Sequence, residues 1–207
     1  MRYLMSGFVF CALAMAGCSD TADYGPISGV VGPADPMARV AALPFQSNLM
    51  WGITGVQWAG EPGSGVKSTF DGRCPCEAEA LISGHGEGQA THAGTVTSTT
   101  SQCMNFVWGP TGPIAGTYSD GIALYQTASG STYEIHFGID GVSGIDEQTG
   151  ECWWHDRWDL VGGTGMFEGA TGSGEESGLA PDVSSLFSGV PAPMVLKGTI
   201  SYRPADN

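Results

Sequence analysis

Apolar and polar residues alternate with a period of two along much of this chain, and no helical period lasts beyond two turns. In residues 131–139, Tyr133, Ile135, Phe137 and Ile139 fall on one face while Thr132, Glu134 and His136 fall on the other. That spacing predicts a half-buried β-strand. Residues 117–125 form its natural hairpin partner across the short polar stretch 126–130. Residues 95–103 read as a Thr- and Ser-rich strand, residues 153–160 and 194–202 as two more, and residues 45–53 as the opening strand. Glycine or threonine interrupts almost every stretch, and nothing predicts a helical crossover. About eight strands in meander order predict an all-β fold, either an antiparallel barrel or a sandwich. Closure into a barrel would also remove the exposed strand edges.

Between two of these strands lies GGTGMFEGATG, residues 162–172, in which five of eleven residues are glycine. A linker has no use for the lone Phe167. The run predicts a tight backbone corner in which glycines permit close approach of chains and the ring pins the corner to a core. It resembles the GGTGxFxGAxG signature of the allene oxide cyclase and dirigent β-barrels, and is most similar to their bacterial allene oxide cyclase barrel-like relatives. Residues 84–94 contain a second similar run, G-x-G-x-x-T-H-x-G, and residues 198–202 resemble the closing strand of that family. The resemblance spans residues 84–202 and implies an eight-stranded, calycin-like antiparallel barrel over residues 44–204. Two features depart from the family pattern: an acidic insert at 175–193 and a tryptophan cluster at 153–158. The plant cyclases depend on pocket residues that these motifs do not contain, so the resemblance carries no catalytic role over.

The amino terminus predicts an address. Arg2 is followed by an apolar stretch, residues 4–16, too short to span a bilayer. Leu13-Ala14-Met15-Ala16-Gly17-Cys18 resembles a bacterial lipobox, with Met15 where Leu is usual. The expectation is a lipoprotein signal peptide at 1–17, with Cys18 as the lipidated first residue of the mature chain. Ser19, rather than Asp, in the next position points to the outer membrane, facing the periplasm or the surface. Several acyl chains, each contributing about 0.8 kcal/mol per buried CH₂, would make such an anchor permanent. Residues 18–43 are rich in Ala, Gly, Pro, Ser and Asp and read as a tether reaching roughly 25–30 Å. What remains is enough for one domain with a sizeable core.

Charge then narrows the partners. Twenty-one acidic residues against seven basic ones give a formal net charge of −14. No Lys/Arg patch exists to neutralise phosphates, which excludes a nucleic-acid partner and disfavours grip on anionic lipid surfaces. The acidity serves the solubility of a secreted domain.

Four cysteines of the expected mature domain, Cys74, Cys76, Cys103 and Cys152, read as two disulfides in an oxidising compartment. A bridge between Cys74 and Cys76 would be strained, so one pairs with Cys103 and the other with Cys152. The alternative, a Cys₄ metal site, lacks the usual C-x₂-C spacing. His85, Glu87 and His92 lie close in sequence, but His92 has the wrong strand parity to join the other two as ligands. The Thr91-His92 pair reads as a backbone hydrogen-bonding device at a strand bend, with His92 also a candidate ligand contact. No metal and no cofactor is implied.

The segment Trp153-Trp154-His155-Asp156-Arg157-Trp158 combines stacking area with polar aim. Trp153, Trp154 and Trp158 are the ligand-binding candidates, against the plainer alternative that Trp154 and Trp158 fill the core. Glu134, His155 and Asp156 are weak acid/base candidates, and no serine sits in a nucleophile elbow. Three functions compete. The first is a membrane-anchored barrel that binds a small, mostly apolar or aromatic ligand in its lumen, as eight-stranded barrels can. The second is a cyclase- or isomerase-type enzyme using the same pocket. The third is a structural lipoprotein with a filled core. Binding is favoured over catalysis because no catalytic constellation is visible.

Overall fold

A computed structural model describes residues 42–201; the expected signal peptide, Cys18, nearly all of the expected tether and Tyr202 lie outside these. The described chain forms eight strands: β1 (Leu43–Trp58), β2 (Ala80–Ala90), β3 (Gly94–Gly109), β4 (Gly112–Thr127), β5 (Thr132–Ile145), β6 (Cys152–Gly163), β7 (Thr171–Ala180) and β8 (Ala192–Ser201). They follow one another as an antiparallel meander, and β1 pairs with both β2 and β8, so the sheet closes into a barrel without an edge. Alternation along the strands is what makes this possible: in β6, Cys152, Trp154, Asp156, Trp158 and Leu160 are buried and the residues between them are exposed. Residues 175–193, read from sequence as an insert, instead supply most of β7 and a one-turn helix, α1 (Val183–Phe187).

The interior is filled by large rings laid over bare backbone. The inward positions of β7 are Gly172, Gly174, Glu176, Gly178 and Ala180. A Cβ at Gly178 would sit 1.9 Å from Cζ2 of Trp154, and one at Gly174 would sit 2.6 Å from Cζ2 of Trp158. Both tryptophans project from β6, the strand next to β7. Only glycine permits this approach, so the small face of β7 and the large face of β6 are one packing unit.

The two ends of the barrel differ. At the end that carries the β6–β7 connection, the glycine-rich run forms a short 3₁₀ turn, Gly165–Phe167, and Phe167 is completely buried. Its ring meets Tyr133 at 4.5 Å between centroids, and Tyr133 stacks on Tyr125 at 4.6 Å. Phe45 and Trp158 complete this packed floor. At the opposite end, α1 lies over the opening, and Phe187 joins Trp58 and Phe106 in an aromatic rim with Trp108 beside them. Asp182 caps α1, its carboxylate accepting from the Ser185 amide at 2.8 Å and the Ser185 hydroxyl at 2.7 Å. The long β1–β2 connection is tied to β3 by a Cys74–Cys103 disulfide spanning 29 residues. Closing a loop of that length contributes about 3–4 kcal/mol in the chain-entropy picture. Cys76 is also disulfide-bonded. Cys152, expected to bridge to one member of the Cys74/Cys76 pair, is instead a free, buried thiol on the inner face of β6.

Phe167→Ala should lower unfolding stability by about 3–5 kcal/mol, because a fully buried ring leaves a cavity that a rigid corner cannot collapse into. Denaturant unfolding followed by tyrosine and tryptophan fluorescence measures this, and a loss below 1 kcal/mol would show that the corner is not anchored by its ring.

Candidate functional site in the barrel lumen

Above the packed floor the rings no longer meet. A cavity of about 60 Å³, measured as the space open to a water-molecule centre, lies in the mouth half of the lumen. It runs from buried Glu176 up to α1 and to half-exposed Ile114 at the start of β4. Most of its wall is apolar or aromatic, with Trp51, Tyr118, Phe137 and Trp154 facing it. The two indoles sit 5.8 Å apart, tilted by 56°. The Trp51 N–H donates to the Thr100 hydroxyl at 3.1 Å, which sets the orientation of that ring.

Glu176 on β7 and Asp156 on β6 are direct cross-strand partners, and both point inward. Asp156 is wholly buried beneath the cavity and Glu176 is 5% exposed at its wall. A β-bulge supports Asp156. Gly138, at φ +80°, sits in a stretch of β5 that skips its ladder partners on both β4 and β6. Its freed amide donates to Oδ2 of Asp156 at 2.7 Å. A Cβ at Gly138 would meet the Ser119 backbone at 3.1 Å, so the bulge needs glycine for both space and conformation.

Burial pushes the Asp156 carboxyl up to about 7, and the Gly138 amide only partly opposes this. Glu176 is raised well above the usual carboxylate range, first by burial and then by the adjacent Asp156, with the neighbouring Trp154 indole opposing. Two carboxyls so placed cannot both ionise cheaply, so they titrate as a pair and hold at least one proton at neutral pH. Tyr118 is raised too, by burial and by both acids, and therefore stays a phenol. The Tyr118 hydroxyl interacts with the Asp156 carboxyl, lowering the proton affinity of the acid and raising that of the phenol, but Oδ1 of Asp156 and the hydroxyl fall short of a full hydrogen bond in geometry. Among the described residues that line the cavity there is no Lys, Arg or His. Buried acids ordinarily have a cation or a full set of donors. This pair has no cation among the described residues lining the cavity, and its donors are the Gly138 amide, the Tyr118 hydroxyl and the Trp154 indole.

The residues singled out from sequence are distributed as follows. Trp154 lines the cavity and Asp156 lies directly beneath it. Trp158 belongs to the floor, its indole N–H donating to the Glu175 carbonyl at 3.0 Å. Trp153 is on the outer face, 40% exposed, with its ring across Gly144. His155 is outside as well, 4.0 Å from Glu175. Glu134 pairs on the outer surface with His136 at 2.6 Å. His92 occupies the β2–β3 turn at φ +66°, its Nε2 3.0 Å from the Pro44 carbonyl, at the floor end. Cys152 reaches the cavity wall, but burial and then Asp182 push its thiol up to about 11, which leaves it a poor nucleophile. Among the described residues no group of three His, Cys, Asp or Glu is placed to hold a metal ion. Sequence reading passed over Glu176, Tyr118 and Trp51. The signal for Glu176 was its parity, shared with the glycines of β7 that mark the inward face.

The acid pair makes stability depend on pH with a defined sign. Asp156 titrates near 3.8 in an unfolded chain and near 7 in the barrel. The folded form therefore binds more protons across that window, and this contribution to stability is lost as pH rises through it. Replacing both acids with their amides, Asp156→Asn with Glu176→Gln, should stabilise the barrel relative to wild type by about 2–4 kcal/mol above pH 7. The advantage should vanish near pH 4. Melting curves of both proteins from pH 4 to 8 check this, and a pH-independent difference would show that the acids are not buried together.

Comparison of the chain with protein-family models, curated proteins and solved structures finds no match.

Proposed function

We propose that this protein is a ligand-binding barrel that seats one compact, mostly apolar or aromatic molecule in the mouth half of its lumen. The observation that carries the reading is a mostly apolar cavity into which the buried Tyr118 hydroxyl and the Glu176 carboxyl both face, with no basic side chain among the described residues that line it. A filled core would have no reason to bury an acid pair and a phenol around an open space without a counter-charge. A ligand supplies apolar area to the rings and hydrogen-bonding groups to Tyr118 and Glu176, the usual division of labour in small-molecule sites. Entry is from the end covered by α1, whose five residues are too short to hold a helix without their packing on the rim.

A specific observation also favours a second reading, an isomerase or cyclase that moves a proton within the bound molecule. Asp156 titrates near 7, beside a second acid of different environment, and such pairs can divide acid and base roles. The resemblance of residues 84–94 and 162–172 to allene oxide cyclase-like barrels supports the same chemistry. In either reading the barrel is a lipoprotein held at the outer membrane through Cys18, as the lipobox-like junction before it suggests.

Ala123, buried and part of the cavity wall, provides the test of the lumen. Ala123→Leu should fill the space at a cost of about 1–3 kcal/mol and abolish calorimetric binding of benzyl compounds that the wild type takes up. Equal binding by a folded Ala123→Leu protein would place the site elsewhere. For the anchor, intact mass of the membrane-extracted protein should show acyl additions on Cys18, and Cys18→Ala should abolish them; a mature chain without lipid mass would overturn that reading.

A further inference from the structure

The acids, the rings and the missing counter-charge together define what the lumen selects. We propose that its ligand is an organic cation, a protonated primary or secondary amine on a small apolar or aromatic body, with its ammonium group at Glu176 and Tyr118. This deepens the lumen-binding reading and rests on it.

Three observations converge. First, Asp156 and Glu176 are opposed across adjacent strands inside the barrel, and none of the described residues lining the cavity is basic. The titratable groups that face the pair are Tyr118 and Tyr125 on β4, both of them neutral when protonated. The nearest charged groups on the same strands, Arg157 with Asp140 and His155 near Glu175, lie on the outer surface. A monocation is therefore the complement that the site lacks, and an anion would meet only acids. Second, the polar groups at the cavity beside Glu176 are the Tyr118 hydroxyl and, interacting with it, the Asp156 carboxyl, whose oxygens offer acceptor lone pairs with no cation to fill them. An ammonium is a pure donor with up to three N–H groups, and it matches such acceptors better than a carbonyl does. Third, the wall beside Glu176 is built from Trp51, Trp154, Phe137 and Tyr118. Aromatic faces attract a desolvated cation, tryptophan most strongly. The net charge of −14 on the whole chain concentrates cations near the mouth before they enter.

The proton balance follows. In the free barrel the pair holds at least one proton; a bound ammonium ion favours ionisation of the carboxyls, so amine binding releases protons from the pair to solvent. The amine keeps its own proton throughout. Its affinity should therefore rise with pH between about 6 and 8, below the deprotonation of the amine itself.

Benzylamine, benzyl alcohol and benzoate share one body and differ in charge, and titration calorimetry of the intact protein with each provides the test. At pH 7.5 benzylamine should bind about tenfold or more tightly than benzyl alcohol. Benzoate should not bind. Repeating the benzylamine titration in two buffers of different ionisation enthalpy should show proton release, which needs no variant. Glu176→Gln, checked for a cooperative melt, should bring the amine-to-alcohol ratio close to one. Benzyl alcohol binding as tightly as benzylamine, or benzylamine binding with no proton release and no response to Glu176→Gln, would overturn the cation proposal while leaving the lumen as the site. Failure of all three compounds to bind would overturn both.

Discussion

Closing eight strands leaves a lumen of limited width, and in this barrel tryptophan rings can occupy it only where the opposite strand has no side chain. Trp154 lies on Gly178, Trp158 on Gly174 and Trp51 on Gly84, each at a distance that a Cβ would make impossible. This pairing of large with absent side chains determines how far the rings reach and where they stop. It produces a solid floor around Phe167, Tyr133 and Tyr125, and a gap above it where Trp51 and Trp154 tilt apart.

The same constraint explains why a strand as polar as β7 can line a core. Its inward glycines are covered by indoles from β6, so the one inward side chain of size among them, Glu176, is pressed between apolar neighbours. Burial of that acid next to Asp156 is unfavourable in isolation, since burial and then the Asp156 carboxyl raise its proton affinity. The β5 bulge relieves part of it by turning the Gly138 amide inward. What remains unrelieved is a pair of acids and a phenol at the base of a cavity, and a fold that tolerates this keeps stability in reserve elsewhere. The stacked floor, the closed sheet and the Cys74–Cys103 bridge are where that reserve resides.

The resulting molecule has a division between its ends. Recurrent glycine-rich motifs, at residues 84–94 and 162–172, serve the strands, turns and floor that hold the cylinder together. The mouth is built from segments without such signatures: α1, the β3–β4 turn and the disulfide-tied β1–β2 connection. The cavity and the acids beneath it belong to the end built from the second set, while persistence of the barrel depends on the first.

By itself the sequence determined six of the eight strands, because a period of two is a local property of the chain, while the glycine-rich β2 and β7 show no such apolar alternation. The alternation in residues 131–139 and 153–160, the hairpin between residues 117–125 and 131–139, and the corner anchored by Phe167 could all be read one segment at a time. It also placed Trp154, Asp156 and Trp158 on one face. Tertiary structure alone decided which face was inside, since both faces of β6 mix aromatic and charged residues: Trp153 and His155 went to solvent, and Glu134 with them. It made Glu176 a wall of the cavity; locally only its parity with Gly172, Gly174 and Gly178 pointed inward, because β7 lacks the apolar side chains that mark an inward face. It left Cys152 unpaired, because a disulfide requires two thiols to meet in space and closure carried this one to the cavity wall. Partners across a barrel are chosen by closure, and a sequence read along its length contains no term for that.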